Sequence, residues 1–232
     1  MRPKLMSFDV FGALVDEYSV SYGAFASILR DAGGAGVDVS AFREHWEMRK
    51  IGHYREPYRR FHDICEISLG ETFAHFGLHG DPGLIGRYFD IYPRLVLYPD
   101  VLPTFDRLAR TYRLALVSNI DDDLLAATPI GRTFDLVCTA ERARGYKPDG
   151  TLFRYLIAHA GRRFGTGIDE ILHSGQSQFT DMVGAKPLGL TVAWINRRSL
   201  ALDPSVPRPD YVFPDVASLL PLVGIGQMAS GE

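Results

Sequence analysis

One stretch near the start of the chain, residues 4–16, restricts the fold most strongly. An apolar run typical of a buried strand ends on a carboxylate, Asp9, with Gly12 three positions later and a second acid, Asp16, closing the stretch. In open α/β sheets, ligands bind just beyond the carboxyl ends of the strands. Asp9 is therefore a candidate functional group, although Asp is also a common turn former and could simply cap a turn here.

Strand-like runs alternate with helical patterns along much of the remaining chain. After a first strand at residues 4–9, we predict strands over residues 113–119, 134–138, 170–174, 190–195 and 211–213. Further helices are predicted over residues 99–111, 149–160 and 179–188, and from Asp122 onwards. This alternation predicts an α/β fold with a parallel sheet and right-handed crossovers.

Residues 17–93 interrupt the alternation, because they show helical periodicity, many aromatic residues and no convincing strand. We predict four helices there, near residues 18–32, 40–52, 57–77 and 83–92. We interpret this block as a helical insertion, so that residues 1–16 and 94–232 form the core domain.

Composition excludes several classes of protein. The 232 residues are 46% hydrophobic, which is enough for a sizeable core, and the formal charge of −3 gives no reason to expect nucleic acid or an anionic membrane as partner. No apolar run approaches the roughly 20 residues that span a bilayer. The two cysteines, Cys65 and Cys138, form neither a disulfide framework nor a metal-ligand spacing. Because the N-terminus also lacks a long apolar segment, we expect a cytoplasmic protein.

Polar groups follow four of the predicted strands, in the order carboxylate, hydroxyl with amide, ammonium, and carboxylate. They are Asp9, Ser118 with Asn119, Lys147 and Asp181. Because the carboxyl ends of parallel strands meet at one edge of a sheet, we expect these side chains to lie together. Each alone has an ordinary interpretation as a cap, a solvated loop charge or a partner of a helix dipole. The combination indicates a catalytic site.

This order of motifs resembles that of the haloacid dehalogenase-like hydrolases over essentially the whole chain. The matching segments are Phe8-Asp9-Val10-Phe11-Gly12, Val117-Ser118-Asn119, Tyr146-Lys147-Pro148, and Gly175-Gln176-Ser177 followed by Asp181 and Gly184-Ala185-Lys186. The resemblance implies a Rossmann-like core on which residues 17–93 form an all-helical cap. It also implies that Asp9 attacks the substrate and forms a covalent aspartyl intermediate.

Two positions separate the branches of this family. Its phosphatases carry an acid two residues after the nucleophile, where this chain has Phe11. They carry another acid directly after the glycine of the fourth motif, where this chain has Gln176. Phosphoryl transfer needs cations near the phosphoryl oxygens, and Mg²⁺ prefers oxygen ligands that usually include carboxylates. The joint loss of both acids argues against phosphate chemistry. An aromatic residue at position 11 instead resembles the 2-haloacid dehalogenase branch, which implies no metal and no other cofactor.

The same resemblance implies a role for each polar group. Asp9 attacks C2 of a small organic acid and expels the leaving group, forming an ester. Lys147 neutralises the nearby carboxylates and keeps Asp9 ionised. Ser118 and Asn119 hold the substrate carboxylate or Asp9, while Asp181 orients or activates the water that hydrolyses the ester.

Substrate contacts are predicted from the residues that flank the motifs and from the cap. The candidates are Phe11, Gly12, Ala13, Arg49, Tyr54, Gln176 and Ser177. Arg43 and Arg49 lie nearest to the cap arginine of dehalogenases, although direct alignment places Glu47 at that position. The cap is therefore expected to supply the specificity of the enzyme.

Three positions depart from the dehalogenase pattern. Ala13 replaces a threonine, Phe153 replaces a tyrosine, and the fourth motif reads Gln176-Ser177-Gln178. That fourth motif is closer to a neighbouring subgroup that looks like azetidine-2-carboxylate hydrolase, which opens a strained ring at carbon. Attack at carbon is therefore predicted more firmly than the release of halide.

Three functions remain open from the sequence. The first is a metal-independent hydrolase that acts on a small organic acid through an aspartyl ester. The second is a Mg²⁺-dependent phosphatase with atypical motifs. The third is a catalytically degenerate binding protein, which Ala13 and the altered fourth motif allow. An apolar face of the cap could also support a homodimer.

Overall fold

The core of the molecule is a six-stranded parallel sheet with the strand order β3-β2-β1-β4-β5-β6. A computed structural model describes residues 3–226. The strands are β1 (Leu5–Phe8), β2 (Arg113–Ser118), β3 (Leu136–Thr139), β4 (Ile171–Gly175), β5 (Thr191–Ile195) and β6 (Tyr211–Phe213). The prediction of a Rossmann-like α/β core is confirmed.

The first strand lies at the centre of this sheet, and its position determines where Asp9 lies. Phe8, the last residue of β1, is aligned with Leu116 on one side and with Ser174 on the other. All four residues of β1 are buried, as expected for a parallel strand that is covered on both faces. Asp9 therefore leaves the sheet at the middle of its carboxyl edge, and its backbone N–H donates to the Ser174 carbonyl at 2.9 Å.

Helices cover the sheet and connect its strands. Outside the insertion they are α5 (Val101–Leu108), α6 (Asp122–Ala127), α7 (Ala140–Ala143), α8 (Thr151–Phe164), α9 (Val183–Ala185) and α10 (Leu219–Leu222). The predicted helix at 179–188 is wrong as a regular helix. It consists of a π-helical turn at Gln178–Met182, then α9, then a 3₁₀ turn at Lys186–Leu188.

The insertion between β1 and α5 is helical, as predicted. Its helices are α1 (Glu17–Asp31), α2 (Val39–His53), α3 (Phe61–His75) and the short α4 (Gly86–Phe89). Local caps start the first two, because Asp16 accepts from the Ser19 amide and Asp38 from the Ala41 amide. We call this block, residues 17–93, the cap.

Two predicted helices of the cap have different bounds in the structure. The helix predicted at 57–77 begins only at Phe61, beyond Pro57. The helix predicted at 83–92 is a 3₁₀ turn (Pro82–Ile85), the single turn of α4 and a second 3₁₀ turn (Tyr92–Arg94). Proline removes a backbone donor and glycine weakens a helix, so α3 begins only beyond Pro57 and the second segment, with Gly83, Gly86 and Pro93, forms only short turns.

The cap and the core share one apolar interior. Phe8 and Phe105 of the core belong to the same buried cluster as Phe25, Phe42 and Trp46 of the cap. A second cluster fills the opposite face of the sheet beneath α8. Cys65 and Cys138 are both buried free thiols. Within residues 3–226, none of the helices combines the length and apolar character needed to cross a bilayer.

Candidate active site

Three charged side chains meet beyond the carboxyl edge of the sheet. The Lys147 ammonium donates to Asp9 Oδ1 at 2.8 Å, to Asp181 Oδ1 at 2.6 Å and to the Val117 carbonyl at 3.1 Å. All three protons of the ammonium are therefore used, and Lys147 is only 1% exposed. The sequence prediction that these three residues lie together agrees with this geometry.

Asp181 lies behind the lysine, away from solvent. It is 0% exposed, its Oδ2 accepts from the Ser177 amide at 2.9 Å, and its Oδ1 accepts from His173 Nε2 at 3.1 Å as well as from Lys147. Burial opposes ionisation, but the Lys147 charge and the His173 hydrogen bond together hold the pKa of Asp181 below its usual range. Asp181 does not line the cavity described below, so the contact with water predicted for it is not present in this structure.

His173 completes this buried layer. Burial lowers the pKa of His173, so the neutral ring is favoured. With Nε2 donating to Asp181, Nδ1 accepts from the Ser7 hydroxyl at 3.0 Å. The Phe153 ring packs edge-on against it, with 4.7 Å between the ring centroids. His173 thus orients Asp181 and does not reach the cavity.

A glycine that the sequence analysis did not single out makes this layer possible. A Cβ atom on Gly175 would lie 2.3 Å from Asp181 Cγ, closer than real Cβ contacts. The last residue of β4 must therefore lack a side chain for Asp181 to fold back towards Lys147. The sequence signal was the glycine of the fourth motif, but its physical reason needed the structure.

Asp9 is the carboxylate that reaches open space. It is 7% exposed and lines a cavity of about 310 Å³ between the core and the cap. Burial raises the pKa of Asp9 to about 7, the Asp181 carboxylate adds to the rise, and Lys147 opposes it. Lys147 favours the ionised form of Asp9, as expected, but burial and the Asp181 charge outweigh it, so the pKa of Asp9 lies above its usual value.

Ser118 is the last residue of β2 and Asn119 follows it, and their side chains make different contacts. The Ser118 hydroxyl is buried, lines the cavity and has no hydrogen-bond partner among the described residues. The Asn119 side chain accepts from the Lys147 amide at 2.7 Å and donates to the Lys147 carbonyl at 2.8 Å. Asn119 thus fixes the backbone of Lys147, whereas Ser118 keeps a free donor for a ligand.

Some of the residues predicted to contact the substrate line the cavity, and others do not. Phe11, Gly12, Tyr54, Gln176 and Ser177 line the cavity. Gly12 has a φ of +76°, and a Cβ there would lie 3.0 Å from Gln176 Oε1, so a side chain is excluded.

Ala13 and Arg49 are not among the residues that line the cavity, and their contacts with the substrate stay predictions. Ala13 is fully buried, and its carbonyl accepts from Arg197. Arg49 points away from the cavity, where its Nε donates to Glu71 at 2.7 Å. Position 49 lies on a helix, and periodicity alone could not tell which face of that helix meets the cavity.

The cap supplies two other cations to the cavity. The Lys50 ammonium is 2.6 Å from Glu47 and 4.3 Å from the centre of the Trp46 ring, and Lys50 is only 6% exposed. Arg43 donates to Glu17 at 2.9 Å. Aromatic residues form much of the remaining wall, which includes Phe11, Tyr54, Phe61, Tyr88 and Tyr92.

The side chains around Asp9 do not fit a Mg²⁺ site. Lys147 occupies the space between the two carboxylates, and Asp181 is fully buried with both oxygens bonded. Gln176 and Phe11 offer no carboxylate. Mg²⁺ needs near-octahedral oxygen ligands. Among the described residues, Asp9 is the one acid of the core that lines the cavity, whereas Glu17, Glu44 and Glu47 line it from the cap.

Comparison with known proteins decides the family. A family model described as haloacid dehalogenase-like hydrolase matches residues 3–189. The chain belongs to the haloacid dehalogenase-like hydrolases. The sequence-based prediction of this family of enzymes is confirmed.

Relatives of this haloacid dehalogenase-like hydrolase include characterised dehalogenases. Haloacetate dehalogenase H-2 of Moraxella sp. (strain B) is 26% identical over 230 residues, covering 95% of this chain and 97% of the relative. (S)-2-haloacid dehalogenase 4A of Burkholderia cepacia is 25% identical over 201 residues, covering 82% of each. These relatives support the predicted 2-haloacid dehalogenase branch, whereas the similarity to azetidine-2-carboxylate hydrolase stays a prediction.

The fold of the hydrolase is also that of a solved dehalogenase. L-2-haloacid dehalogenase from Xanthobacter autotrophicus, solved with chloropropionic acid covalently bound, superposes with a TM-score of 0.77 at 23% identity. The match covers 97% of this chain and all of that chain. The prediction of a core with an inserted helical cap agrees with this shared fold.

Proposed function

We propose that this hydrolase displaces a leaving group from a carbon atom of a small organic acid, without a metal, through an ester on Asp9. One observation carries the proposal: Asp9 is the carboxylate of the buried charged cluster that lines the cavity, and its neighbour there is the Phe11 ring instead of a second acid. A carboxylate next to an aromatic ring suits attack on carbon. The Phe11 ring cannot act as the general acid that the phosphatases of this family carry at that position.

In the first step, a carboxylate oxygen of Asp9 attacks the carbon, and the leaving group departs with its bonding electron pair. The attacking oxygen must be ionised, so the raised pKa of Asp9 sets the pH at which the step begins. Its burial also removes hydration from the nucleophile before the attack.

In the second step, water attacks the carboxyl carbon of the Asp9 ester, and the hydroxy acid leaves. Charge then develops on the oxygen that Lys147 contacts at 2.8 Å, where the fixed ammonium stabilises it. We infer that Asp181 acts through Lys147 and not on the water, since it is fully buried. One proton of the water passes to the departing oxygen, which becomes the hydroxyl of the hydroxy acid, and the other is released to solvent, so that Asp9 is regenerated as a carboxylate.

The carboxylate of the substrate needs a donor and a positive charge inside the cavity. The Ser118 hydroxyl is a free donor next to Asp9, and Lys50 brings a buried ammonium from the cap. We infer that Lys50 exchanges part of its contact with Glu47 for the substrate, and that it replaces the cap arginine of dehalogenases. A cytoplasmic location and a homodimer stay predictions.

Halide release in the presence of excess EDTA tests the proposal. We expect the wild type to release chloride from a 2-chloro acid, with no change in rate when EDTA is added. Turnover of p-nitrophenyl phosphate that EDTA abolishes would instead indicate the phosphatase. A tightly bound small molecule with no turnover of either would indicate the binding protein.

A further inference from the structure

A second buried acid, Asp121, joins the core to the cap outside the catalytic cluster. It follows β2 by three residues and is 0% exposed. Its Oδ1 accepts from the Phe61 amide at 3.0 Å, and its Oδ2 accepts from the His62 amide at 3.2 Å and from His62 Nδ1 at 2.7 Å. These amides are the first two of α3, so a core carboxylate serves as the N-terminal cap of a cap-domain helix.

The helix has no other side-chain cap. Arg60 occupies the N-cap position, and its side chain makes no capping hydrogen bond. The first amides of a helix lack partners inside the helix, and a carboxylate there also complements the helix dipole. The beginning of α3 therefore depends on a residue 60 positions away, which explains why sequence patterns placed its start at 57.

A second core residue contacts the same turn of the cap. The Tyr146 hydroxyl donates to the Arg59 carbonyl at 2.8 Å, and its ring stacks on Tyr54 with 4.5 Å between the centroids. Tyr146 precedes Lys147 in the chain, and Tyr54 lines the cavity. The turn at residues 59–62 is thus held from two core loops.

Those two loops are also the loops that carry the catalytic groups. Asn119, two residues before Asp121, forms both of its hydrogen bonds to the backbone of Lys147, the residue after Tyr146. The start of α3 is therefore connected to the ammonium that contacts Asp9 by these hydrogen bonds together with the short chain segments 119–121 and 146–147.

A metal ion does not explain this cluster. His62, Asp121 and Asp123 place ligand atoms within 4.8 Å of one another. However, the Arg60 guanidinium lies 3.4 Å from Asp121 and 3.6 Å from Asp123, so a cation is already present. Both oxygens of Asp121 are also bonded to N–H groups.

We propose that Asp121, together with Tyr146, is a positioning residue that clamps the start of α3 to the catalytic loops and so places the cap wall over Asp9. At the mouth of the cavity the cap meets the core differently, by an exposed stacking contact with 4.0 Å between the Arg198 guanidinium and the Tyr18 ring centre. A buried carboxylate with three hydrogen bonds is the firmer contact. The cap is therefore held more firmly at Asp121 than at Tyr18.

Amide exchange tests the clamp without reference to activity. We compare Asp121→Asn with Asp106→Asn, which removes the same charge from a core side chain that is 71% exposed and pairs with Arg132. Exchange across residues 59–66 should be at least about tenfold faster in Asp121→Asn and unchanged in Asp106→Asn. Equal exchange in the two variants overturns the clamp.

Kinetics test whether the clamp positions the catalytic groups, a step that rests on the proposed function. At a temperature where both variants are folded, kcat of Asp121→Asn should fall about tenfold or more, with a smaller change in KM. A loss of thermal stability with unchanged kcat would show a merely structural role and contradict the proposal. If the wild type turns over no organic acid, the exchange result still decides the clamp.

A milder variant keeps the test decisive if Asp121→Asn does not fold. Tyr146→Phe removes one hydrogen bond and retains the stacking on Tyr54. On its own it should raise exchange in residues 59–66. Where Asp121→Asn also folds, the rise in Tyr146→Phe should be the smaller of the two, and the effects should be non-additive because both residues hold one turn. No change in exchange on Tyr146→Phe, or strict additivity in the double variant, would refute a shared clamp.

Discussion

The floor and the wall of the cavity are built in different ways. On the floor, Asp9, Lys147 and Asp181 are buried, the lysine contacts both acids, and each residue lies in a segment that follows a strand of one parallel sheet. On the wall, the cap presents aromatic rings, and its cations pair with acids of the cap itself, as Lys50 does with Glu47. This difference indicates that the buried cluster of the floor determines which reaction occurs. The cations of the wall can exchange their contacts with cap acids for contacts with a substrate.

The floor should be the less tolerant of the two regions, and Asp9→Asn should have the largest effect. The amide is a poor nucleophile, so turnover should fall on the order of a thousandfold or more. Asp16→Asn is the control, since Asp16 caps α1 and does not line the cavity. Halide-release assays of both variants check this. Near-normal activity of Asp9→Asn would show that the floor tolerates substitution as well as the wall does.

Gly175→Ala tests the floor without altering a charged group. The new methyl group would overlap Asp181, so the lysine would lose its second partner, and activity should fall about a hundredfold. Gly23→Ala is the matched control, because nothing lies within 4 Å of a Cβ at that helical position. It should leave the rate unchanged and raise the free energy of unfolding by up to about 1 kcal/mol.

The pH profile tests the burial of the nucleophile. Protonated Asp9 cannot attack, so kcat/KM should rise with pH through about 7 and then level off. Two pH units below that value, the rate should be about a hundredfold lower than on the plateau. A profile that stays flat down to pH 5 would show that the ion pair with Lys147 outweighs burial after all.

Two neighbouring cations on α2 test the wall, where we expect the smallest effect. Lys50→Met removes the ammonium that faces the cavity, and kcat/KM for an anionic substrate should fall about tenfold, mainly through KM. Arg49→Met removes a charge on the same helix that faces Glu71, and it should change neither constant. Equal losses of kcat/KM in the two variants would mean that the cap acts through its net charge and not through the position of Lys50.

Sequence reasoning located the floor because each of its residues follows a strand. A buried parallel strand shows a recognisable apolar run, and the carboxyl ends of such strands converge whatever the loops do, so Asp9, Ser118 and Lys147 could be grouped in advance. The sequence could not predict the contacts that support the site, such as the hydrogen bond from Asn119 to the backbone of Lys147. Nor could it predict that burial raises the pKa of Asp9.

The wall was less predictable, for physical reasons. Helical periodicity identifies an apolar stripe, but it does not say which polar residue at the edge of that stripe faces a cavity, so Arg49 was chosen and Lys50 was not. The start of α3 depends on Asp121, which is remote in sequence. The segment at 178–188 departs from a regular helix where Asp181 turns back to the Ser177 amide.

The central claim is that Asp9 forms a transient ester with a carbon atom of the substrate. A single turnover in ¹⁸O-water, followed by mass analysis of the peptide that contains Asp9, tests it most directly. Hydrolysis of the ester at the carboxyl carbon predicts that one ¹⁸O atom enters that peptide. An unlabelled peptide with ¹⁸O in the product would show direct attack of water on the substrate and contradict the account.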